Sequence, residues 1–298
     1  MADRANVHVV VVAYGSYEQL ARCLGGLQSK YPVTVVDNSS SADVHKVVDR
    51  FGAAYVDPGR NLGFAAGVNR ALARLDLAHI HVLVLNPDAV VSAPVVASLE
   101  AALQGAQQAA CVAPAQFAPG SKVADRVCWP FPTPFGAWID AVGLGRVRRR
   151  CDFLTGAVLL IRGSALLEVG GFDERFFLYA EETDWQQRAR RQGFEVRYCR
   201  ELTAMHVGAG TDPDAERRVL RFHAGTEQYI RKWHGILGWT AFRMANIVGA
   251  SVRAMTVSAT RRRIAVQRVR IYWFGPMRMA TKLGALPPVG STNVRVGR

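Results

Sequence analysis

Apolar residues in the first third of the chain fall into short unbroken runs, separated by longer stretches in which they recur every three or four positions. The runs are VHVVVVAY, VTVVDNSS, AAYVDPG and HVLVLNPDAVV, the last ending in an Asn-Pro-Asp turn. Between them lie YEQLARCLGGLQS, VHKVVDRFG and GFAAGVNRALARL, each with one apolar face at helical spacing. A strand that is apolar at nearly every position has no side to give to water. Strands of this kind alternating with helices predict a parallel sheet covered on both faces. Further on, APVVASLEAALQGA reads as a helix, FLTGAVLLIR as another buried strand, SALLEVG as a helix, EETDWQQRARRQG as a helix closed by Gly193, and FEVRYC as a last strand. Residues 111–150 are Pro-rich with a basic cluster at Arg146 to Arg150, and are expected to be an irregular surface excursion.

Beyond Thr211 the pattern changes. GILGWTAFRMANIVGASVRAM is apolar but interrupted by Arg243 and Arg253, so it falls short of the roughly 18–20 uninterrupted apolar residues of a spanning helix. It is expected to lie on a membrane rather than cross it. The next stretch, RRRIAVQRVRIYWFGPMRM, mixes arginines with large apolar side chains, as an interfacial segment does where each basic residue contributes about 1 kcal/mol against anionic headgroups. An oligomer-forming helical pair is the next reading and a nucleic-acid arm the last; no nucleic-acid partner is expected. The organisation read here is a domain at residues 1–211 and a helical, basic, membrane-associating extension at 212–298.

Charge sharpens that division. Residues 1–216 carry 21 Lys/Arg against 23 Asp/Glu, whereas residues 217–298 carry 16 Lys/Arg and Glu227 as their only acid. With 298 residues, half of them hydrophobic, the chain can bury a full core. Cys23, Cys111, Cys128, Cys151 and Cys199 are odd in number and widely spaced, which argues against a disulfide framework or a zinc site and for a reducing compartment. The valines of MADRANVHVVVVAYGS read as a buried strand and not as a secretory leader.

The chemistry sits at the strand ends. No G-x-G-x-x-G follows the first strand, which ends at Tyr14 in AYGS, and no P-loop occurs. Polar residues do collect where an open sheet binds ligands: Asp37 and Asn38, Asn61 to Asn69, and Asn86 to Asp88. Each alone also suits a turn or a helix cap. Glu181, Glu182 and Asp184 crowd one helix start after a Gly-Gly-Phe-Asp turn. They are candidates for a general base, with acids that merely complement a helix dipole as the plain alternative.

Taken in order, VVDNSS, NLGFAAGVNRAL, LNPD, FLTGAVLLIR, GGFDERFFLYAEETDW and Met205-His206-Val207-Gly208 resemble the family 2 glycosyltransferases of the GT-A fold, in particular the rhamnosyltransferase branch that extends lipid-linked glycans. The resemblance spans roughly residues 7–211, and the basic apolar tail is similar in kind to that of membrane-associated actinobacterial members. It implies an α/β GT-A fold with a mixed, mostly parallel sheet, helices on both faces and a C-terminal helical extension. It also implies that Tyr14, Asp37, Asn38, Asn61, Gly63, Phe64 and Asn69 surround the donor nucleotide, with Asp37 accepting from the pyrimidine. Asn86-Pro87-Asp88 stands where the family has D-x-D, so only Asp88 retains a charge there. Asp88 and His206 are then the ligands of a Mg²⁺ or Mn²⁺ ion on the diphosphate; His206 fixing a loop is the alternative.

Glu182 stands where the family has its catalytic aspartate. Its extra methylene displaces the carboxylate by roughly 1.5 Å, and misplacement on the order of 1 Å is costly, so Asp184 remains a rival base and Glu181 a third candidate. Asp152, Thr155, Gly156 and Trp185 are expected at the acceptor. No Gln-x-x-Arg-Trp motif follows the acidic run, so a single sugar is expected to be added. The function implied is inverting transfer of a sugar, with L-rhamnose from dTDP-rhamnose as the best candidate, to a lipid-linked or cell-envelope polysaccharide acceptor. The place implied is the cytoplasmic face of a bacterial membrane, as a peripheral protein, with oligomerisation left open. A sugar nucleotidyltransferase would want a Gly-rich basic first loop where this chain has AYGSYEQL. A catalytically decayed membrane- or nucleic-acid-binding protein is the reading that the substituted Asn86 and Glu182 favour.

Overall fold

A computed structural model describes residues 6–145, 150–208 and 214–286, so only Arg150 of the basic cluster lies within the described residues. The chain forms two compact units. One comprises Met1–Trp129, Cys151–Glu174 and Glu181–Pro213; the other comprises Pro130–Arg150, Arg175–Ala180 and Asp214–Arg298. The second unit thus includes two segments from before residue 211.

In chain order the elements are β1 (Val7–Ala13), α1 (Tyr17–Gly26), β2 (Val33–Asp37), α2 (Ala42–Arg50), β3 (Ala54–Val56), α3 (Phe64–Leu72), β4 (His81–Leu85), β5 (Ala89–Val90), α4 (Ala93–Gln104), β6 (Ala109–Phe117), β7 (Cys128–Trp129), α5 (Pro134–Ala141), β8 (Phe153–Leu154), β9 (Val158–Ile161), α6 (Gly163–Val169), α7 (Glu181–Arg191), β10 (Glu195–His206), α8 (Ala215–Thr256), α9 (Ala259–Phe274) and α10 (Pro276–Lys282).

The first unit is built on a sheet of order β3-β2-β1-β4-β9-β6-β10-β5. Successive side chains of a strand point to opposite faces, and β1 shows the consequence. Val9 and Val11 join the layer that contains Leu20, Leu24, Val44 and Leu99. Val10 and Val12 join the opposite layer with Val68, Leu166 and Trp185. Both layers are dry, which is why the strand is valine at almost every position. α3 approaches β1 so closely that a Cβ on Gly67 would lie 2.9 Å from Cγ1 of Val12. Capping follows the local sequence: the Ser41 side chain accepts from the Val44 amide at the start of α2.

Most sequence-derived elements are present, and the departures have identifiable causes. The sheet is mixed and mostly parallel, as the resemblance implied and the strand pattern alone did not: β9 runs antiparallel to both β4 and β6, and β5 antiparallel to β10. The run HVLVLNPDAVV is two strands, broken by the Asn-Pro-Asp turn. FLTGAVLLIR is likewise divided into β8 and β9. Residues 111–150 are not simply an excursion, since β6 crosses the sheet with its residues buried through Gln116. Its Pro114 and polar Gln116 mask the apolar run. The last strand extends past Cys199 to His206: pairing with β6 shifts from Cys199↔Pro114 to Thr203↔Ala115, leaving residues 200–202 bulged beside a proline that has no amide to donate.

The cysteine reading is also corrected. Cys128 and Cys151 form a disulfide, with Cα atoms 5.0 Å apart, while Cys23, Cys111 and Cys199 are free and buried. The cause is tertiary, because β7 pairs with β8 through Cys128↔Leu154 and Trp129↔Phe153 and so closes a 23-residue separation. Cysteine spacing therefore gives no ground for assigning a reducing compartment.

The second unit is helical. α8 is broken at Gly235, whose φ of 66° and ψ of −167° suit glycine. Trp239, Phe242 and Ala245 pack with Ile271, Tyr272 and Ala280 in a core of their own, so one face of the apolar stretch expected on a membrane is consumed internally. Within that core His223 Nδ1 lies 3.1 Å from the Tyr272 hydroxyl, and burial holds the imidazole down to about 3. No described helix is long and apolar enough to cross a membrane.

Intact-mass measurement after alkylation of the denatured chain tests the bond. Without reductant it should take three labels, on Cys23, Cys111 and Cys199, and after reduction all of its cysteines should react; full labelling before reduction would contradict the disulfide.

Candidate active site

The ends of β1, β2 and β4 and the start of α3 meet along one edge of the sheet, and hydrogen bonds tie their loops together. Asp37 is fully buried. Its Oδ1 accepts from the Ser39 amide at 2.9 Å and the Ser39 hydroxyl at 2.5 Å; its Oδ2 accepts from the Ser41 amide at 2.7 Å and the Tyr55 hydroxyl at 3.0 Å. Burial and this bond push the Tyr55 phenol up to about 12, so it remains a donor. Each Asp37 oxygen already has two donors, and a pyrimidine imino group would have to displace one. Asn38 donates to the Gly63 carbonyl at 2.9 Å and accepts from the Leu62 amide at 3.4 Å, while Asn61 accepts from the Gly63 amide at 2.9 Å. Tyr14 is half-exposed at the end of β1, and the neighbouring Gly15 amide donates to Ser39 Oγ at 3.0 Å. Phe64 begins α3 and packs against the sheet core.

Asn69 serves a different purpose from its neighbours. Its Nδ2 donates to the Phe172 carbonyl at 2.8 Å and to Glu174 Oε1 at 2.9 Å, and its Oδ1 accepts from the Phe172 amide at 2.8 Å. A Cβ on Gly171 would lie 2.5 Å from that oxygen. The amide thus fastens α3 to the Gly-Gly-Phe-Asp turn, and its groups are committed there rather than offered to a ligand.

The two residues expected to hold a cation are brought together. β5 pairs with the end of β10 through His206↔Ala89 and Met205↔Val90, and the Val207 amide donates to the Asp88 carbonyl at 3.1 Å. His206 Nε2 consequently lies 3.4 Å from Asp88 Oδ1. Asp88 is buried, and its Oδ2 has no hydrogen-bond partner among the described residues. A buried carboxylate oxygen left this way costs about 1–3 kcal/mol, and a cation beside it removes that cost. No cluster of three or more His, Cys, Asp or Glu able to hold a metal occurs among the described residues. One carboxylate and one imidazole therefore fit a divalent ion whose other positions go to phosphate oxygens and water.

The acidic run divides by environment. Glu181 and Asp184 are buried, whereas Glu182 is partly exposed. Asp184 Oδ2 is ion-paired with Arg188 Nε at 3.2 Å, and Arg188 also donates to the carbonyls of Val169 and Gly171. Arg188, paired with Asp184 one turn away on the same helix, thus anchors α7 to the glycine turn. Glu181 titrates well above the ordinary carboxylate range, first because it is desolvated and then because Glu182 is negative beside it. Glu182 packs on Gly156, where a Cβ would lie 3.3 Å from its Cγ. The next residue, Ala157, accepts from the Asn86 amide at 2.9 Å. The segment through Gly156 and Ala157 therefore joins Glu182 to the turn that carries Asp88. Thr155 in the same segment is held by its amide to the Val127 carbonyl, and the Asp152 amide donates to Trp129 on the β7–β8 ribbon. Trp185 is corrected: it is fully buried, donates Nε1 to the Gly170 carbonyl at 2.8 Å and tilts against Phe172, so it has no face for a sugar.

A family model described as glycosyltransferase-like family 2 matches residues 3–223. The chain belongs to this family. It is 30% identical to an N-acetylglucosaminyl-diphospho-decaprenol L-rhamnosyltransferase of Mycobacterium tuberculosis, over 82% of this chain and 94% of that protein. It is 27% identical to the low-salt glycan biosynthesis hexosyltransferase Agl10 of Haloferax volcanii, over 67% of each. Among solved structures, a mannosyltransferase from Pyrobaculum calidifontis, in complex with GDP-Man and Mn²⁺, superposes with a TM-score of 0.59 at 16% identity, covering 95% of this chain and 85% of that one. Glucosyl-3-phosphoglycerate synthase of M. tuberculosis gives 0.54 at 15% identity, covering 78% and 79%. The architecture is the GT-A fold with a C-terminal helical extension.

One residue of this family 2 glycosyltransferase escaped the sequence reading. Gln186 is buried, donates Nε2 to the Leu154 carbonyl at 2.8 Å and the Glu182 carbonyl at 3.0 Å, and accepts from the Leu154 amide at 2.8 Å and the Cys111 thiol at 3.5 Å. It clamps α7 to β8 directly beneath Glu182. The four-residue spacing from Glu182 was visible, but which side of the helix met a strand was not.

The Glu181 shift has a measurable consequence. Its folded pKa lies above its unfolded one, so this contribution to stability is present below the ordinary carboxylate pKa and is lost as pH rises through the folded value. Glu181→Gln should therefore raise the urea midpoint more at about pH 8 than at about pH 5; an equal change at both would contradict a raised Glu181 pKa.

Proposed function

We propose that this glycosyltransferase moves a sugar from a nucleoside diphosphate to a lipid-linked glycan acceptor by a single inverting displacement. The observation that carries the reading is the closeness of Asp88 and His206, together with the Gly156–Ala157 segment, on which Glu182 packs and to whose Ala157 carbonyl the Asn86 amide donates. Asp88 and His206 would hold a Mg²⁺ or Mn²⁺ ion, whose chemistry there is to neutralise charge on the leaving diphosphate. The loops tied by Asp37, Asn38 and Asn61 position the nucleotide, with Tyr14 exposed beside them.

Glu182 is the general base in this reading. Its carboxylate takes the proton of the acceptor hydroxyl as that oxygen bonds to the anomeric carbon, and the bond from that carbon to the diphosphate oxygen breaks with its electron pair leaving on the nucleotide. Glu181 beside it has its pKa raised by burial and by the Glu182 charge, which disfavours a second negative charge there, and Asp184 is paired with Arg188. Thr155, Gly156 and Asp152 border the place where the hydroxyl must approach.

L-rhamnose is the sugar that the name of the M. tuberculosis relative supports, with N-acetylglucosaminyl-diphospho-decaprenol as its named acceptor, and dTDP-rhamnose is the donor we propose. Residues 1–211 then supply the catalysis and 212–298 the membrane contact. On α8, Leu237, Met244, Val248, Val252 and Met255 are all exposed, recur at helical spacing on one side, and leave an apolar stripe facing away from the helix's buried residues. Such a stripe on a basic unit suits a peripheral protein at an anionic membrane face.

Transfer assays with a panel of nucleotide sugars test this. Glu182→Gln should lose turnover by about 10²–10⁴-fold while donor affinity is retained, and unimpaired turnover would remove Glu182 as the base. In the same assay His206→Ala should lower turnover and raise the metal concentration needed; an unchanged metal requirement would remove His206 as a ligand.

A further inference from the structure

The second unit contains a hollow that the transfer reaction leaves unused. α9 advances about 100° per residue, so Arg262, Arg263, Val266, Arg270 and Ile271 fall on one side of it, and with Met279 of α10 they line a cavity of ≈ 450 Å³. The three arginines are exposed, and no hydrogen bond or ion pair occupies their guanidinium groups among the described residues. Other arginines of this unit are engaged: Arg231 with Glu227, Arg243 with the carbonyl of Tyr272, and Arg268 with Asn246. Glu216 is the one acid in the lining. Three cations gathered against one anion repel one another, and a bound anion relieves that repulsion.

The lining also specifies what kind of anion. Guanidinium forks match the oxygens of a phosphate. Val266, Ile271 and Met279 form an apolar part of the wall, which suits a ligand whose phosphate adjoins hydrocarbon better than a fully hydrated ion. The volume is several times that of a bare phosphate. One turn beyond Arg270, Trp273 and Phe274 fall on the same half of α9 and are 62% and 53% exposed. Aromatic side chains so placed sit at headgroup level when a helix rests on a bilayer.

We infer that this hollow binds the phosphate group of an anionic membrane phospholipid, which seats the helical unit through a defined headgroup site and not through diffuse charge alone. The inference rests on the membrane-facing reading above and deepens it; it does not depend on the transfer chemistry.

Full-length protein sedimented with phosphatidylcholine vesicles, with and without phosphatidylglycerol, tests it. Binding should require the anionic lipid. The triple variant Arg262→Ala/Arg263→Ala/Arg270→Ala should bind about tenfold more weakly or worse. The charge-preserving Arg262→Lys/Arg263→Lys/Arg270→Lys should still lose about fivefold because the forks are gone. A control triple on exposed arginines of the first unit, Arg22→Ala/Arg50→Ala/Arg74→Ala, should bind like the unaltered chain. Wild-type affinity in the lysine triple, or equal losses in the control, would overturn the site in favour of diffuse charge. Displacement from vesicles by inorganic phosphate at constant ionic strength would overturn the lipid as its source. Donor turnover, measured in parallel on all variants, should be unchanged; its absence in the unaltered chain would sink the transfer reading while leaving the vesicle result to stand by itself.

Discussion

The site depends on a two-residue strand finding the end of a twelve-residue one. β5 contributes Ala89 and Val90, and β10 reaches them only after bulging at the position where Pro114 offers β6 no amide. That bulge bends the strand and lengthens it relative to its partner. Asp88 and His206 are otherwise remote in the chain, and nothing local would bring them to 3.4 Å. The orphaned Asp88 Oδ2 is retained at a cost that a purely structural aspartate would have avoided by meeting a donor.

Around this corner the molecule uses side-chain amides as fasteners. Asn38 ties β2 to the loop before α3, Asn69 ties α3 to the glycine turn, and Gln186 ties α7 to β8. Each amide both donates and accepts, so it can satisfy a backbone N–H and a backbone C=O where no ladder partner exists. Together with the Asp184–Arg188 pair they hold the acidic helix from several directions. Glu182 is thereby left as the half-buried member of the acidic run, while burial raises the pKa of its neighbour Glu181.

The helical unit resolves its composition differently. Its apolar residues divide between a core around Tyr272 and a stripe left exposed along α8. Its arginines divide between those that bond to carbonyls, amides and Glu227 and those that line the α9 hollow. Uniform mixing of basic and apolar residues in the sequence thus becomes, in three dimensions, a separation of structural from available groups.

The valine runs, the helical spacing between them and the polar strand ends were enough to establish a layered α/β domain with its ligand edge, because burial on both faces leaves a local mark on every residue of a strand. The motif order was likewise enough for the family, and it named Asp88, His206 and Glu182 as the residues to test. The sequence did not determine β6, whose Pro114 and Gln116 look like loop residues until neighbouring strands cover them. Nor did it determine the Cys128–Cys151 bond, the burial of Trp185, the capture of Asp184 by Arg188 or the role of Gln186. These are facts of pairing between distant segments. Periodicity records how buried a position is, whereas the identity of its partner is decided only when the chain closes on itself.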